Sequence, residues 1–527
     1  MNDIFSRRFS TPRDVAPPAR TGFRRAVLAC VALMLMAGPT VTGAAVARDT
    51  TAGSKTAGAA ATAPAAPSAP PHARQQAVDI GALQDEAVER LQAYVRVDTI
   101  NPPGNESRGA DFFAAIFEAE GIEYETVESA PGRGNIWARL EGGDEPALVL
   151  LHHMDVVPAD ERHWTTEPLG GEIRDGFVYG RGTLDTKTSG ITHLQVFLAL
   201  HAAGTPLTRD VIFMGTADEE AGGFYGAGWL AENHPELFDG VGFILNEGGT
   251  GSLPDPAGED PHAPSSAARV AFDVEVTQKV PWWLRLTAVD EPGHGSMPRV
   301  TSSVTRLVRA LSRIDAYEQE PRIVPAVDTY FKAIAEYQEE SKREPFANLS
   351  RAVRDPEFLL QLQLDNPFLH ALTRNTCSMT MLEGSNKINV VPPDAAAELD
   401  CRLLPDQDPD AFIEQLSMII NDPAIEIEVI MGFTPAVSST DTELYRAIER
   451  VSLRHFPSSK VVPSVSTGFT DSHFFRDMGI VAYGYEPTIL APGEEGRYHG
   501  NDERITIANV RRAVQMTLEV VQELVYE

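Results

Sequence analysis

The 527-residue sequence predicts an α/β protein with a mostly parallel central sheet, interrupted by an inserted α+β domain. Three observations carry this reading. Between residues 76 and 281, helical hydrophobic periodicity alternates with short apolar runs, the pattern of strand–helix–strand units in a parallel sheet. Between 282 and 432 the texture changes to half-buried strands accompanied by helices. From 433 to 527 an apolar run and a long amphipathic stretch return to the first pattern. No internal repeat is visible.

Taken in chain order, residues 85–95 and 110–120 carry apolar side chains at helical spacing. ALVLLH (147–152) reads as a buried strand, as do VIFMG (211–215) and VGFIL (241–245). Between the first two lies an apolar-periodic helix, 191–200, with Gly204 as its stop. In the insert, WLRLTAV, SMTMLEG and AELDCRLL read as half-buried strands, with helices at 302–315 and 409–420. Residues 318–374 are polar and helix-prone, fit neither pattern, and are read as an insertion of unassigned role. A strand at 481–485 and a helix at 507–525 complete the first domain.

The first 47 residues read as a signal peptide. A basic stretch ends in Arg24-Arg25, an apolar run of about 13 residues follows, and Ala45-Val46-Ala47 offers small residues for cleavage. That run is short of the ~20 residues a membrane span needs, so no stable span is expected in the mature form, and export to the periplasm or medium is. Residues 48–75 are rich in Ala, Pro, Thr and Ser and read as a flexible linker. The formal charge of −31 disfavours nucleic acid and anionic lipid as partners. Beyond the leader only Cys377 and Cys401 remain. Two buried small hydrophobes are the favoured reading; a bridge across one hairpin is the alternative an oxidising compartment permits.

Three of the expected strands run directly into acidic or imidazole side chains: His153 and Asp155 after the first, Asp218-Glu219-Glu220 after the second, Glu247 after the third. In open α/β sheets ligands bind beyond the carboxyl ends of the strands, so these clusters share one edge. Asp185, in GRGTLDTK ahead of the long helix, reaches the same edge. Each signal alone is weak. Together, imidazole and several carboxylates with no thiolate form the open ligand set of a catalytic metal site. Gathering so many carboxylates without cations costs several kcal/mol in repulsion.

In this order, LLHHMDVVP, GRGTLDTK, ADEEAGG, NEGG, GHGSMP, NVVPPDAAAELDCRLLP and YHGNDERI resemble the dinuclear zinc family of carboxypeptidase S, aminoacylase-1, glutamate carboxypeptidase and succinyl-diaminopimelate desuccinylase. The carboxypeptidase S branch is the nearest likeness, through HWTTEPLGGEIRDGFVYGRGTLDTK and WWLRLTA. The resemblance implies a catalytic domain carrying an inserted ferredoxin-like lid and dimerisation domain, with a homodimer formed through the lid. It implies two divalent cations, zinc first and cobalt or manganese as alternatives. Asp185 would bridge them, with His153 and Glu247 on one and Glu220 and His499 on the other. Glu219 would be the general base of a metal-activated water, and Asp155 would orient His153. His294, Asn389 and Arg402 would contact substrate, Arg402 as the clamp on its carboxylate. The implied reaction is hydrolysis of a peptide or N-acyl amide bond beside a free carboxylate. A narrow deacylase such as a desuccinylase, or a non-catalytic binding protein on the same fold, are the alternatives. Asn246 departs from the family's usual Asp before the Glu247 ligand, and the 318–374 insertion puts the dimer geometry in doubt.

Overall fold

The computed structural model describes residues 78–253 and 258–526. The expected signal peptide (1–47) and the whole of the expected linker (48–75) lie outside them. Glu145–His153, Arg209–Thr216, Val241–Asn246 and Val481–Gly484 form the parallel centre of a ten-stranded sheet. Arg209–Thr216 pairs in antiparallel fashion with Gly134–Leu140, which pairs likewise with Tyr124–Glu128. On the other side Ala271–Gln278 is joined in parallel by Lys460–Ser466. The centre is continuously apolar because both faces are covered. Leu148, Leu150, Val211 and Phe213 enter one core, beside the helices Ile80–Val95, Lys187–Ala203 and Ile507–Val525. Their sequence neighbours Val149, Leu151, Ile212 and Met214 enter a second, with Leu230, Phe238 and Phe475. Each such aliphatic side chain contributes about 1.5–3 kcal/mol through burial.

The long helix Lys187–Ala203 ends at Gly204, whose φ of 58° is a left-handed stop that glycine adopts without strain. It begins four residues before the apolar periodicity does. Its first turn, Lys187 to Gly190, is buried although polar, and the Lys187 ammonium donates to the carbonyls of Tyr94 and Val97.

A second, antiparallel sheet has the order Thr376–Glu383, Asp394–Leu403, Val280–Val289, Ile425–Gly432. Helices Ser303–Asp315 and Pro409–Ile420 share its core. Strand–helix–strand–strand–helix–strand in this spatial order is the ferredoxin-like arrangement. Residues 318–374 fall between helix Ser303–Asp315 and strand Thr376–Glu383 as five short α-helices from Pro325–Ile334 to Pro367–Ala371, in a core that includes Leu404 and Val465. Cys377 and Cys401 stand directly opposite one another across paired strands, with Cα atoms 3.9 Å apart, and are disulfide-bonded. This corrects the favoured reading of two separate thiols: the strand register brings them face to face. Among the described residues no helix is long and apolar enough to cross a membrane.

Candidate metal centre

Alternation along a strand separates two adjacent histidines. His152 packs in the core against Phe113 and Phe213, while His153 emerges at the strand's carboxyl end. Its Nε2 lies 3.1 Å from Asp185 Oδ1 and 3.3 Å from Glu247 Oε2. The other Asp185 oxygen, Oδ2, lies 3.1 Å from His499 Nε2, which is 3.0 Å from Glu220 Oε2. Asp185 thus spans two imidazoles, one oxygen to each. Glu219 Oε2 stands 3.9 Å from His153 Nε2. Ligand atoms of His153, Asp185 and Glu220, and of His153, Glu219 and Glu247, also lie within 4.8 Å of one another. The first grouping cuts across the sequence assignment, since it joins ligands given to different ions, and the second draws in Glu219. The division of the Asp185 oxygens discriminates better between two ion positions, because it names a different imidazole for each.

The local backbone explains the convergence. Strand Arg209–Thr216 ends in a turn where Asp218 is left-handed, with φ 69°, so Glu219 and Glu220 both reach the site. His499 is likewise left-handed, with φ 57°. The Asp155 carboxylate accepts the backbone N–H groups of Glu219 (3.1 Å) and Glu220 (3.2 Å) and the Asn101 amide (2.8 Å). Being so engaged, it stands 3.4 Å from His153 Nδ1, whereas the Asp155 main-chain oxygen stands at 3.0 Å. The nearer partner of that nitrogen is therefore the backbone carbonyl, and the carboxylate's main contacts are to the turn bearing Glu219 and Glu220.

Sequence reasoning missed the pair Arg181 and Glu503. Glu503 accepts the backbone N–H of Leu184 (2.7 Å) and of Asp185 (3.2 Å), and pairs with Arg181 Nη1 at 2.6 Å. Arg181 Nη2 donates to the carbonyls of His499 and Gly500. One buried ion pair fixes both loops that carry Asp185 and His499. Arg181 lies in GRGTLD, which carries Asp185, and Glu503 follows His499 by four residues, but nothing in the two motifs links residues 322 positions apart.

Burial raises the Glu219 carboxyl well above its usual range, and Glu247 adds to this. Burial, then Asp185, pushes Glu220 up to about 7. Burial raises Glu247 as well, against the pull of His153. Hydrogen bonds to Asp185 and Glu220 raise the His499 imidazole to about 10. Burial opposes ionisation of Asp185, but its hydrogen bonds to His153 and His499 hold it below the carboxylate range.

A pair of divalent cations fits these residues on two counts. Glu220 Oε1 is buried without a hydrogen-bond partner among the described residues. The donor set is oxygen and imidazole nitrogen only, and cations relieve the mutual repulsion of its carboxylates.

Asp185, Glu219, Glu220, Glu247 and His499 line a cavity of about 790 Å³, within the size range of small-ligand sites. Arg402 lines it too. Asp400 holds Arg402 through Nε (2.6 Å) and Nη2 (3.2 Å), and the guanidinium lies 5.7 Å from the Trp283 ring and 5.5 Å from the Phe469 ring. Its Nη1 is buried and without a partner among the described residues. Gly468, Phe469 and Thr470 form pocket wall, and His473 stacks on Phe433 at 3.7 Å, away from the ligand cluster. His294 and Asn389 are exposed on the paired short strands Gly293–His294 and Val390–Val391 and their flank, outside this lining. A larger cavity of about 1320 Å³, between the helical insertion and the second sheet, contains none of the clustered ligands.

Residues 149–523 match the model of peptidase family M20/M25/M40. The chain is 29% identical to an N-fatty-acyl-amino acid synthase/hydrolase of Xenopus tropicalis over 83% of its length and 85% of that protein's. It is 30% identical to a probable carboxypeptidase S-like protein of Dictyostelium discoideum, over 73% of each. In fold it is similar to an M20 family metallo-carboxypeptidase from Sulfolobus solfataricus, with TM-score 0.63, 19% identity, and coverage of 83% of this chain and 99% of that one. With the clustered imidazoles and carboxylates at the strand ends, these likenesses identify the chain as a member of peptidase family M20/M25/M40, a metal-dependent hydrolase of the peptidase and aminoacylase type.

Proposed function

We propose that the protein hydrolyses a peptide or N-acyl amide bond adjacent to a free carboxylate, using two zinc ions. The observation that carries the carboxylate requirement is Arg402, which lines the same cavity as Asp185, Glu219, Glu220, Glu247 and His499 and keeps Nη1 without a hydrogen-bond partner among the described residues. His153, Asp185 and Glu247 would hold one ion, and Asp185, Glu220 and His499 the other. When bound, such cations supply Lewis acidity toward the scissile carbonyl and lower the pKa of water. Glu219 faces the same cavity with a carboxyl whose proton affinity burial has raised. It takes a proton from the attacking water on a side-chain oxygen and returns it to the leaving nitrogen. Asp155 keeps Glu219 in place through the main-chain N–H it accepts. Arg402 orients the substrate by its carboxylate, and the ring faces of Trp283 and Phe469 limit the access of water to that contact.

Export completes the reading. The leader-like residues 1–47 support it, and the Cys377–Cys401 bond suits an oxidising compartment. A homodimer through the second sheet is also proposed. Its edge strand Thr376–Glu383 exposes Met379, Met381 and Leu382, and a second copy would have to supply His294 to the cavity.

The test is a panel of dipeptides, N-acyl amino acids and their methyl esters, assayed with and without a chelator. Chelator-sensitive release of the amino acid from free acids, with the esters poor, is the expected result. Turnover that survives full metal removal, or that favours the esters, would contradict the proposal.

A further inference from the structure

The helical segment that the sequence left unassigned reaches the catalytic cavity. Its apolar faces share one core with Leu404 and Val465. Leu404 follows Arg402 by two residues, and Val465 belongs to the strand Lys460–Ser466 that leads into the cavity-lining loop. The segment is therefore packed against both elements that form the Arg402 side of the site. Ionic contacts add to this: Glu336 pairs with Lys460 and with Arg269, both outside the second sheet.

Its last helix, Pro367–Ala371, is held at both ends. Asn366 caps the start by accepting the Leu369 N–H at 3.0 Å, and Pro367 presets the first turn. Beyond the other end, the buried Lys279 ammonium donates to the carbonyls of Ala371 (3.0 Å) and Arg374 (2.9 Å) and to the Thr376 hydroxyl (2.9 Å). Leu369 and Leu372 point into the shared core. Phe368 lines the catalytic cavity together with Trp283, Phe469 and Arg402, and stays 45% exposed. A large aromatic ring on a held support, part-exposed at the lining of a binding cavity, is a contact surface for an apolar group.

We propose that Phe368 is a specificity-determining residue, forming with Trp283 and Phe469 an aromatic wall for the side chain of the amino acid whose carboxylate Arg402 holds. This rests on the proposed hydrolysis beside a free carboxylate. It assigns the 318–374 segment a role in substrate selection, because the segment carries Phe368 and holds it in position.

The test varies the two sides of the amide separately: N-acetyl-Gly, -Leu and -Phe on one axis, N-acetyl- and N-octanoyl-Leu on the other. In Phe368→Ala the preference in kcat/KM for Leu and Phe over Gly is expected to fall by roughly tenfold or more, the loss that removing an apolar contact produces. The octanoyl-to-acetyl ratio is expected to stay within about twofold. Phe368→Leu is expected to restore part of the preference. An unchanged side-chain preference, or a change confined to the acyl axis, would overturn the assignment. If the unaltered protein turns over no member of the panel, the functional reading fails, and that failure is visible without any variant. Calorimetric binding of free Phe against free Gly then reads the wall directly. The variant must lose the difference between them; an equal difference in both proteins would overturn the assignment in that case as well. Since Phe368 is exposed, its truncation leaves the shared core intact, and an unchanged melting temperature checks this.

Discussion

Replacing Arg402 by Ala removes from the cavity lining a guanidinium whose Nη1 has no hydrogen-bond partner among the described residues. The guanidinium already gives two contacts to Asp400, which leaves Nη1 as its unpartnered nitrogen for a substrate carboxylate. A hydrogen bond to a charged partner in such a place contributes about 1.5–3 kcal/mol, which corresponds to roughly 10- to 150-fold in kcat/KM. The assay compares N-acyl amino acids with their methyl esters. Arg402→Ala is expected to lose that factor on the acids and less than about threefold on the esters. Arg402→Lys retains the charge but not the planar fork that Asp400 orients, and is expected to recover only part. Asp400 remains partly solvated and keeps the Trp283 indole N–H at 2.8 Å, so the variant is expected to fold. Equal losses on acids and esters, with unchanged melting, would refute the clamp.

Glu219→Gln is expected to lower kcat by roughly 10²- to 10⁴-fold with metal content unchanged; turnover near the original rate would remove its role as base. Glu503→Gln breaks the buried pair with Arg181 that fixes the loops of Asp185 and His499. Metal affinity, read by competition with a chromogenic chelator, is expected to drop about 10- to 100-fold, and undiminished affinity would refute the positioning role. Burial raises the Asp273 carboxyl to about 8 against the pull of its hydrogen bond to Tyr330, far above the ~3.9 of an unfolded chain. The folded state thus holds the proton more tightly, and this stabilisation is complete below about pH 4 and lost as the pH rises through 8. Urea midpoints at pH 5 and 8.5 are expected to fall with pH less in Asp273→Asn than in the unaltered chain; parallel slopes would contradict this.

Much of the fold was legible because its signals are local. The runs at 147–152, 211–215 and 241–245 are apolar on both faces, as a covered parallel sheet requires, and the helices 409–420 and 507–525 have one apolar stripe each. The first turn of the helix at Lys187 was not, because its buried residues are polar and their partners, the carbonyls of Tyr94 and Val97, lie about 90 positions away in sequence. Residues 318–374 were opaque for a related reason. No helix there exceeds ten residues, and Glu340–Ala347, Leu349–Ala352 and Pro356–Asp365 bury one residue each, Phe346, Leu349 and Leu362, leaving too few apolar repeats for periodicity to register across the segment. At the site, the clustering of imidazole and carboxylate after strand ends was readable from the strand pattern alone. The Arg181–Glu503 pair was not, since residues 322 positions apart share no periodicity. Nor could spacing reveal that the Asp155 carboxylate serves the Glu219–Glu220 turn more closely than the His153 ring.

The most direct test is the metal content of the purified, zinc-reconstituted protein by elemental analysis, beside that of an Asp185→Ala variant. Two ions per chain, falling to fewer than one on loss of the carboxylate that reaches both His153 and His499, is the result expected from their shared contact. A chain that retains no ion, or a variant that keeps both, would contradict it.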